Sequence, residues 1–171
     1  ERTAGTLPRL LVTPTTSAQV LGGKVAGIYL TGVAQMTILI VATALLFGVR
    51  WGSWPGVAAL ILAAVAGAVG WGLLITALAK SPGQVNGIGS AIMLIFGILG
   101  GTFTNLANMP AWFSAVSQIT PNAWGVQGFT TLASGGGLGD LAGPLAALLA
   151  MAAVLFLISL LLIRKRGLAP A

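Results

Sequence analysis

The chain has 171 residues, of which 57% are hydrophobic and only 6% charged, with a net charge of +6. A water-soluble domain carries about 25% charged residues, so this composition excludes a soluble globular protein. The basic residues are too scattered to form the stripe that nucleic-acid binding needs. With no Cys or His, thiol chemistry, the usual zinc sites and His-based acid–base catalysis are excluded too.

Residues 1–19 form a polar, basic, amphipathic start. Leu7, Leu10 and Leu11 repeat at helical spacing, Thr6 can cap a short helix, Pro8 fits its first turn and Thr13-Pro14 ends it. Ser17 is a candidate cap for the next helix. The first residues are polar, so no signal peptide is visible in them, and the expectation is that this is the C-terminal part of a longer protein.

Between Lys24 and Arg164 only three charges occur, Arg50, Lys80 and Asp140. A charge at the centre of a spanning helix costs about 2.5–3.5 kcal/mol on insertion scales, so spans form in the gaps between charges. Four spans are predicted, at residues 25–48, 56–79, 85–103 and 141–163. Each approaches the roughly 20 residues needed to cross a ~30 Å hydrocarbon core. Arg50-Trp51-Gly52-Ser53-Trp54-Pro55 reads as a turn with two tryptophans at the headgroup boundary. Lys80-Ser81-Pro82-Gly83 is a helix breaker.

Residues 104–140 are different. Pro110 and Trp112 open one short helix, 110–119; Thr120-Pro121 precedes a second, 122–133; Gly135-Gly136-Gly137 follows. Both are too short to span, and they suit a re-entrant or interfacial hairpin whose backbone is covered by protein. Charge decides the topology. Four spans put Arg2, Arg9, Lys24, Lys80, Arg164, Lys165 and Arg166 on one side and Arg50 alone on the other. A fifth span would divide the basic residues evenly, so the positive-inside bias selects four spans with both ends cytoplasmic. The expected architecture is a single all-α transmembrane domain. It is a polytopic bundle of four transmembrane helices in the cell membrane, with an N-terminal cytoplasmic amphipathic helix and an extracytoplasmic re-entrant hairpin.

Candidate chemistry is sparse. No phosphate-binding loop, nucleophile elbow or metal-ligand cluster is present. Glu1 and Asp140, the only carboxylates, lie far apart in sequence, so an enzymatic role is not expected and no cofactor is expected in this chain. Gly97 and Gly101 form a GxxxG, and Ala63, Ala66, Gly67 and Gly70 offer small-residue faces. In lipid such faces let helix backbones approach closely, first within the chain and alternatively against a second subunit. Thr37, Thr43, Thr76 and Ser90 are expected to bond back to their own helices. Gln35 is read as an interhelical hydrogen-bonding residue before a substrate contact, Trp71 as core before a substrate platform, and Asn86 as a polar residue at a pathway or helix interface. The N-terminal segment can lie on membrane lipid or dock in a partner's groove; its small leucine face favours the groove.

Glu1-Arg2-Thr3-Ala4-Gly5-Thr6-Leu7-Pro8-Arg9-Leu10, followed by Leu11-Val12-Thr13-Pro14, resembles the coupling-helix region of ABC type-2 transporter permeases. Gly101-Thr102-Phe103, Pro110-Ala111-Trp112 and Thr120-Pro121 also resemble features of that family, in the same order along the chain. The resemblance implies six spans per subunit, the last four lying here, and a second permease subunit, as in a homodimer. It also implies a separate ABC ATPase subunit that binds ATP and Mg. By this resemblance Glu1, Arg2, Gly5, Thr6, Leu7, Arg9 and Leu10 couple the ATPase to the spans. Thr3 and Pro8 stand where the family often has acidic residues, which leaves docking to Leu7, Leu10 and backbone shape. The implied function is ATP-driven export, with an amphipathic or lipid-like cargo suited to the apolar spans. The alternative is a membrane-embedded assembly or scaffold subunit without a transport path of its own.

Overall fold

A computed structural model of the chain describes residues 17–101 and 110–167. The coupling residues Glu1, Arg2, Gly5, Thr6, Leu7, Arg9 and Leu10 lie outside the described residues. All regular structure among the described residues is helical. Six α-helices follow one another: α1 Ser17–Phe47, α2 Trp54–Leu78, α3 Pro82–Leu99, α4 Ala111–Ser117, α5 Pro121–Ala133 and α6 Ala142–Gly167. A 3₁₀ turn, Leu138–Leu141, leads into α6. Four stretches are long and apolar enough to cross a membrane: Gly22–Phe47, Trp54–Leu78, Pro82–Leu99 and Leu138–Arg164. The chain is therefore an all-α, multi-pass membrane helix bundle.

Three helices start on the same local device. Ser53, Ser81 and Thr120 adopt extended backbone and accept hydrogen bonds from the N–H groups of Gly56, Gln84 and Ala123. A proline in the first turn, where no N–H is needed, reinforces each start. At Ser81 the cap is reciprocal in effect, because Gln84 Oε1 accepts from the Lys80 N–H at 2.8 Å. Asp140 plays the equivalent part before α6: its Oδ2 accepts from the Gly137 N–H at 2.8 Å, placing a carboxylate near a helix start where the backbone dipole favours it.

The core is built around α2. Leu60 on α2, Leu132 on α5, Leu141 in the 3₁₀ turn and Leu148 on α6 are fully buried, with Val57, Ile61, Ala63 and Val65 beside them. Small residues set the separation of the helices. A methyl group on Gly70 would stand 3.2 Å from Leu155 Cβ, and one on Gly67 3.5 Å from Leu148 Cδ2, so these glycines bring α2 and α6 close together. The Ala63–Gly70 face therefore packs within the chain. The helices at the rim, α1 and α3, keep almost their whole length outside the core. Gly32 of α1 meets Val65 of α2 so closely that a methyl there would lie 2.8 Å from Val65 Cγ1.

One expectation differs from the structure. The Gly97–Gly101 pair does not form one helical face, because α3 ends at Leu99 and Gly101 turns the chain away at φ +78. A left-handed conformation of this kind costs glycine little and other residues more, so Gly101 terminates the helix instead of packing it. In the α1–α2 turn Trp51 is half-buried, edge-on to Phe129 of α5 with centroids 5.7 Å apart, while Trp54 remains 55% exposed.

Candidate functional site

The α4–α5 hairpin turns at residues 117–121; Ser117, Thr120 and Pro121 are buried, while Gln118 and Ile119 between them are exposed. Ser117 is 2% and Thr120 1% exposed. The Thr120 hydroxyl donates to the Ser117 carbonyl at 2.7 Å and accepts from the Ala123 N–H at 3.2 Å. Ser117 Oγ donates to the Ser114 carbonyl at 2.8 Å, and the Thr120 N–H to the Ser117 carbonyl at 2.9 Å. Trp124 Nε1 donates to the Gln118 carbonyl at 2.8 Å, and Pro121 has no N–H to satisfy. The turn thus meets its polar needs from within, as a backbone reversal away from water must.

Its depth follows from its neighbours. A methyl on Gly67 would be 3.5 Å from Pro121 Cβ. Gly67 lies 13 residues beyond Trp54 and 11 before Leu78, the ends of α2. At ~1.5 Å per residue the turn therefore sits about 20 Å and about 17 Å from those ends, close to half-height. Gly100, after α3, reaches the same level, since a methyl there would run into Asn122 Cβ. From the turn, α5 runs antiparallel to α2. Gly128 faces Leu60, and Leu132 faces Gly56. Beyond α5 the Gly52 N–H donates to the Leu132 carbonyl at 2.9 Å. A methyl on Gly52 would meet Gly136 O at 2.7 Å, so the α1–α2 loop and the glycine loop after α5 touch backbone to backbone.

The residues singled out in the sequence fall into separate places. Pro121 is buried in the turn. Pro110 and Trp112 are exposed on the other arm of the hairpin, Trp112 edge-on to Phe113 at 5.7 Å. Trp71 stacks edge-on against Phe96 of α3 at 4.9 Å, close to the level of the turn, its indole N–H buried with no partner among the described residues. Gly97 is half-buried one residue further on α3. Asn86 is exposed near the start of α3. Gln35 is exposed midway along α1 and lines a groove of about 540 Å³ between α1, α2 and α3. The structure brings Trp71 and Pro121 towards the hairpin turn and leaves Gln35 and Asn86 apart from it.

Gln35 makes no hydrogen bond to a neighbouring helix among the described residues. The α1–α2 bond comes from Tyr29, whose hydroxyl donates to the Leu62 carbonyl at 3.1 Å. Tyr29 is the only tyrosine of the chain, and that solitary phenol within an apolar stretch was the available signal. The threonines behave as their chemistry dictates: Thr37, Thr43 and Thr76 each bond back to their own helix, to the carbonyls of Val33, Ile40 and Gly72. A second groove, about 580 Å³, lies between α1, α2 and α6.

Comparison with known proteins supplies the context for this bundle. A family model described as ABC-2 family transporter protein matches residues 1–161. The linearmycin resistance permease protein LnrN of Bacillus subtilis (strain 168) is 29% identical over 156 residues, which cover 91% of this chain and 40% of that protein. The chain therefore spans about two-fifths of the length of this relative. No solved structure matches. A match running from the first residue through almost all of the last span, on a bundle of four apolar helices, assigns the chain to the ABC-2 family of transporter proteins.

Proposed function

We propose that this chain is the C-terminal transmembrane portion of a permease subunit that exports an amphipathic or lipid-like substrate, driven by ATP hydrolysis on a partner ABC ATPase. The observation that carries the reading is the turn at residues 117–121, seated against Gly67 of α2 through Pro121 with Ser117 and Thr120 buried beside it. It reverses the backbone at half-height of α2 with its own polar groups satisfied. The α4–α5 hairpin then enters the bilayer from the outer face and stops midway, leaving the inner half of the bundle beneath it without that layer of protein. A half-crossing element of this kind is suited to gate a path between two permease subunits. With both ends cytoplasmic, seven basic residues face inward and Arg50 alone faces outward.

In this reading residues 1–14 form the short helix on which the ATPase pushes, with Glu1, Arg2, Gly5, Thr6, Leu7, Arg9 and Leu10 at the docking surface. The push reaches α1 directly. It passes to α2 through the Gly32–Val65 contact and the Tyr29–Leu62 hydrogen bond. Two such subunits form the path and the ATPase carries the nucleotide. The name of the Bacillus subtilis relative, a resistance permease, supports export as the direction. The test is Leu7→Asp with Leu10→Asp in the full-length permease. Transport and co-purification of the ATPase are expected to fall together while the protein remains in the membrane. Undiminished transport with normal ATPase association would refute the coupling role.

A further inference from the structure

The groove between α1, α2 and α6 combines three properties that select a ligand. Its walls are apolar: Val25, Val69, Leu73, Phe156 and Leu160 contribute most of them. Its two polar side chains are already occupied, the Tyr29 hydroxyl by the Leu62 carbonyl and Ser159 Oγ by the Leu155 carbonyl at 2.7 Å. Both hydroxyl protons are thus committed, and a polar solute would find no free side-chain donor there. On α6 the lining runs from Ala152 to Ile163, a stretch of 12 residues. That is about 16 Å of helix, close to half of a ~30 Å hydrocarbon core, or one leaflet. A groove this short accommodates a lipid tail but not a spanning helix. The lining ends at Ile163, and the next residue of α6, Arg164, is exposed. Basic pockets between transmembrane helices at a membrane face bind anionic headgroups.

We infer that this groove is a binding site for an anionic phospholipid, with an acyl chain along α6 and the phosphate at Arg164. The inference needs only that α6 spans the membrane. It does not rest on transport or on which face is cytoplasmic, so reporter fusions that reversed the orientation would leave it standing.

The experiment uses the full-length permease, delipidated in detergent and titrated with phosphatidylglycerol or phosphatidylcholine. Thermal melting is followed and bound lipid is counted by native mass spectrometry. Phosphatidylglycerol is expected to raise the melting temperature saturably and to appear as a bound adduct, whereas phosphatidylcholine does neither. Arg164→Gln raises the half-saturating concentration about fivefold, and Arg164→Lys retains it. Ala153→Phe places a ring in the groove from an exposed, lining position. It abolishes the lipid shift while the lipid-free melting temperature is kept; Ala26→Leu does the same from α1. Equal stabilisation by phosphatidylcholine overturns the proposal. So does a phosphatidylglycerol shift that survives both groove-filling variants, or a disulfide from Ala153→Cys to a cysteine placed in a span outside this chain.

Discussion

Replacing Thr120 by Val tests whether the hairpin turn is held by hydrogen bonding or by shape alone. Val has nearly the same volume and accepts the extended backbone found at Thr120, φ −93 and ψ 139. What it removes is one hydroxyl, and with it two hydrogen bonds: donation to the Ser117 carbonyl and acceptance from the Ala123 N–H. Ala123 is 5% exposed, so its N–H finds no water in exchange. A buried donor left unpaired costs about 1–3 kcal/mol, and removal of a threonine cap by itself costs about 0.5–2 kcal/mol. These describe largely the same loss, so the expected penalty is about 2 kcal/mol. For a chain of this size that lowers the melting temperature by about 4–8 °C. The assay is thermal unfolding of the detergent-solubilised protein, followed by circular dichroism. Thr120→Ser is the control, because it keeps both hydrogen bonds and loses only a methyl group, at about 1 kcal/mol. If Val melted with the wild type, or Ser fell as far as Val, the hydrogen-bonding account of the turn would be wrong.

Further outcomes follow from the same packing. Gly128→Ala places a methyl 2.7 Å from a side chain, Leu60, that is fully buried and cannot yield; about 1–3 kcal/mol of stability is lost, and adding Leu60→Ala recovers part of it in a double-mutant cycle. Gly52→Ala drives a methyl into the carbonyl oxygens of Gly136 and Leu132, so it separates the α1–α2 loop from α5 and increases hydrogen–deuterium exchange at residues 132–137. Tyr29→Phe removes the α1–α2 hydrogen bond and costs about 0.6 kcal/mol in melting experiments, whereas Thr76→Val, which loses only a bond to its own helix, stays within about 0.5 kcal/mol of wild type.

The four crossing helices were legible because charge is expensive in lipid and its gaps are long. The starts at Ser53, Ser81 and Thr120 carried a local signal, a hydroxyl with proline one or two residues on, yet the predicted helices begin one to three residues late, at 56, 85 and 122. Which helix lies at the centre was not. In a soluble bundle the buried face announces itself by contrast with a polar one, but here the outward face of α1, with Leu45 79% and Phe47 78% exposed, is as apolar as the inward face of α2. The packing of Trp51 onto Phe129 was not legible either, because a tertiary ring contact leaves no mark in local sequence. The GxxxG spacing of Gly97 and Gly101 was sound arithmetic applied across a helix end that the Gly100-Gly101 pair itself creates. Gln35 carried the stronger polar signal on α1, yet Tyr29 makes the bond, because reach and the position of the Leu62 carbonyl decide this and neither is written in spacing. The depth of the 117–121 turn depends on its contact with Gly67, which no local pattern encodes.

A helix of 13 residues cannot be held in a bilayer by lipid alone. Its residence there depends on the surface that α2 and α6 offer it, and that surface exists only once those two have met through Gly67, Gly70 and the residues opposite. On the proposed re-entrant reading, α5 therefore waits during biogenesis, outside or at the membrane surface, until α6 has been made. A later helix is then the one that lets an earlier one settle, and a ribosome stalled before residue 142 would leave the hairpin homeless.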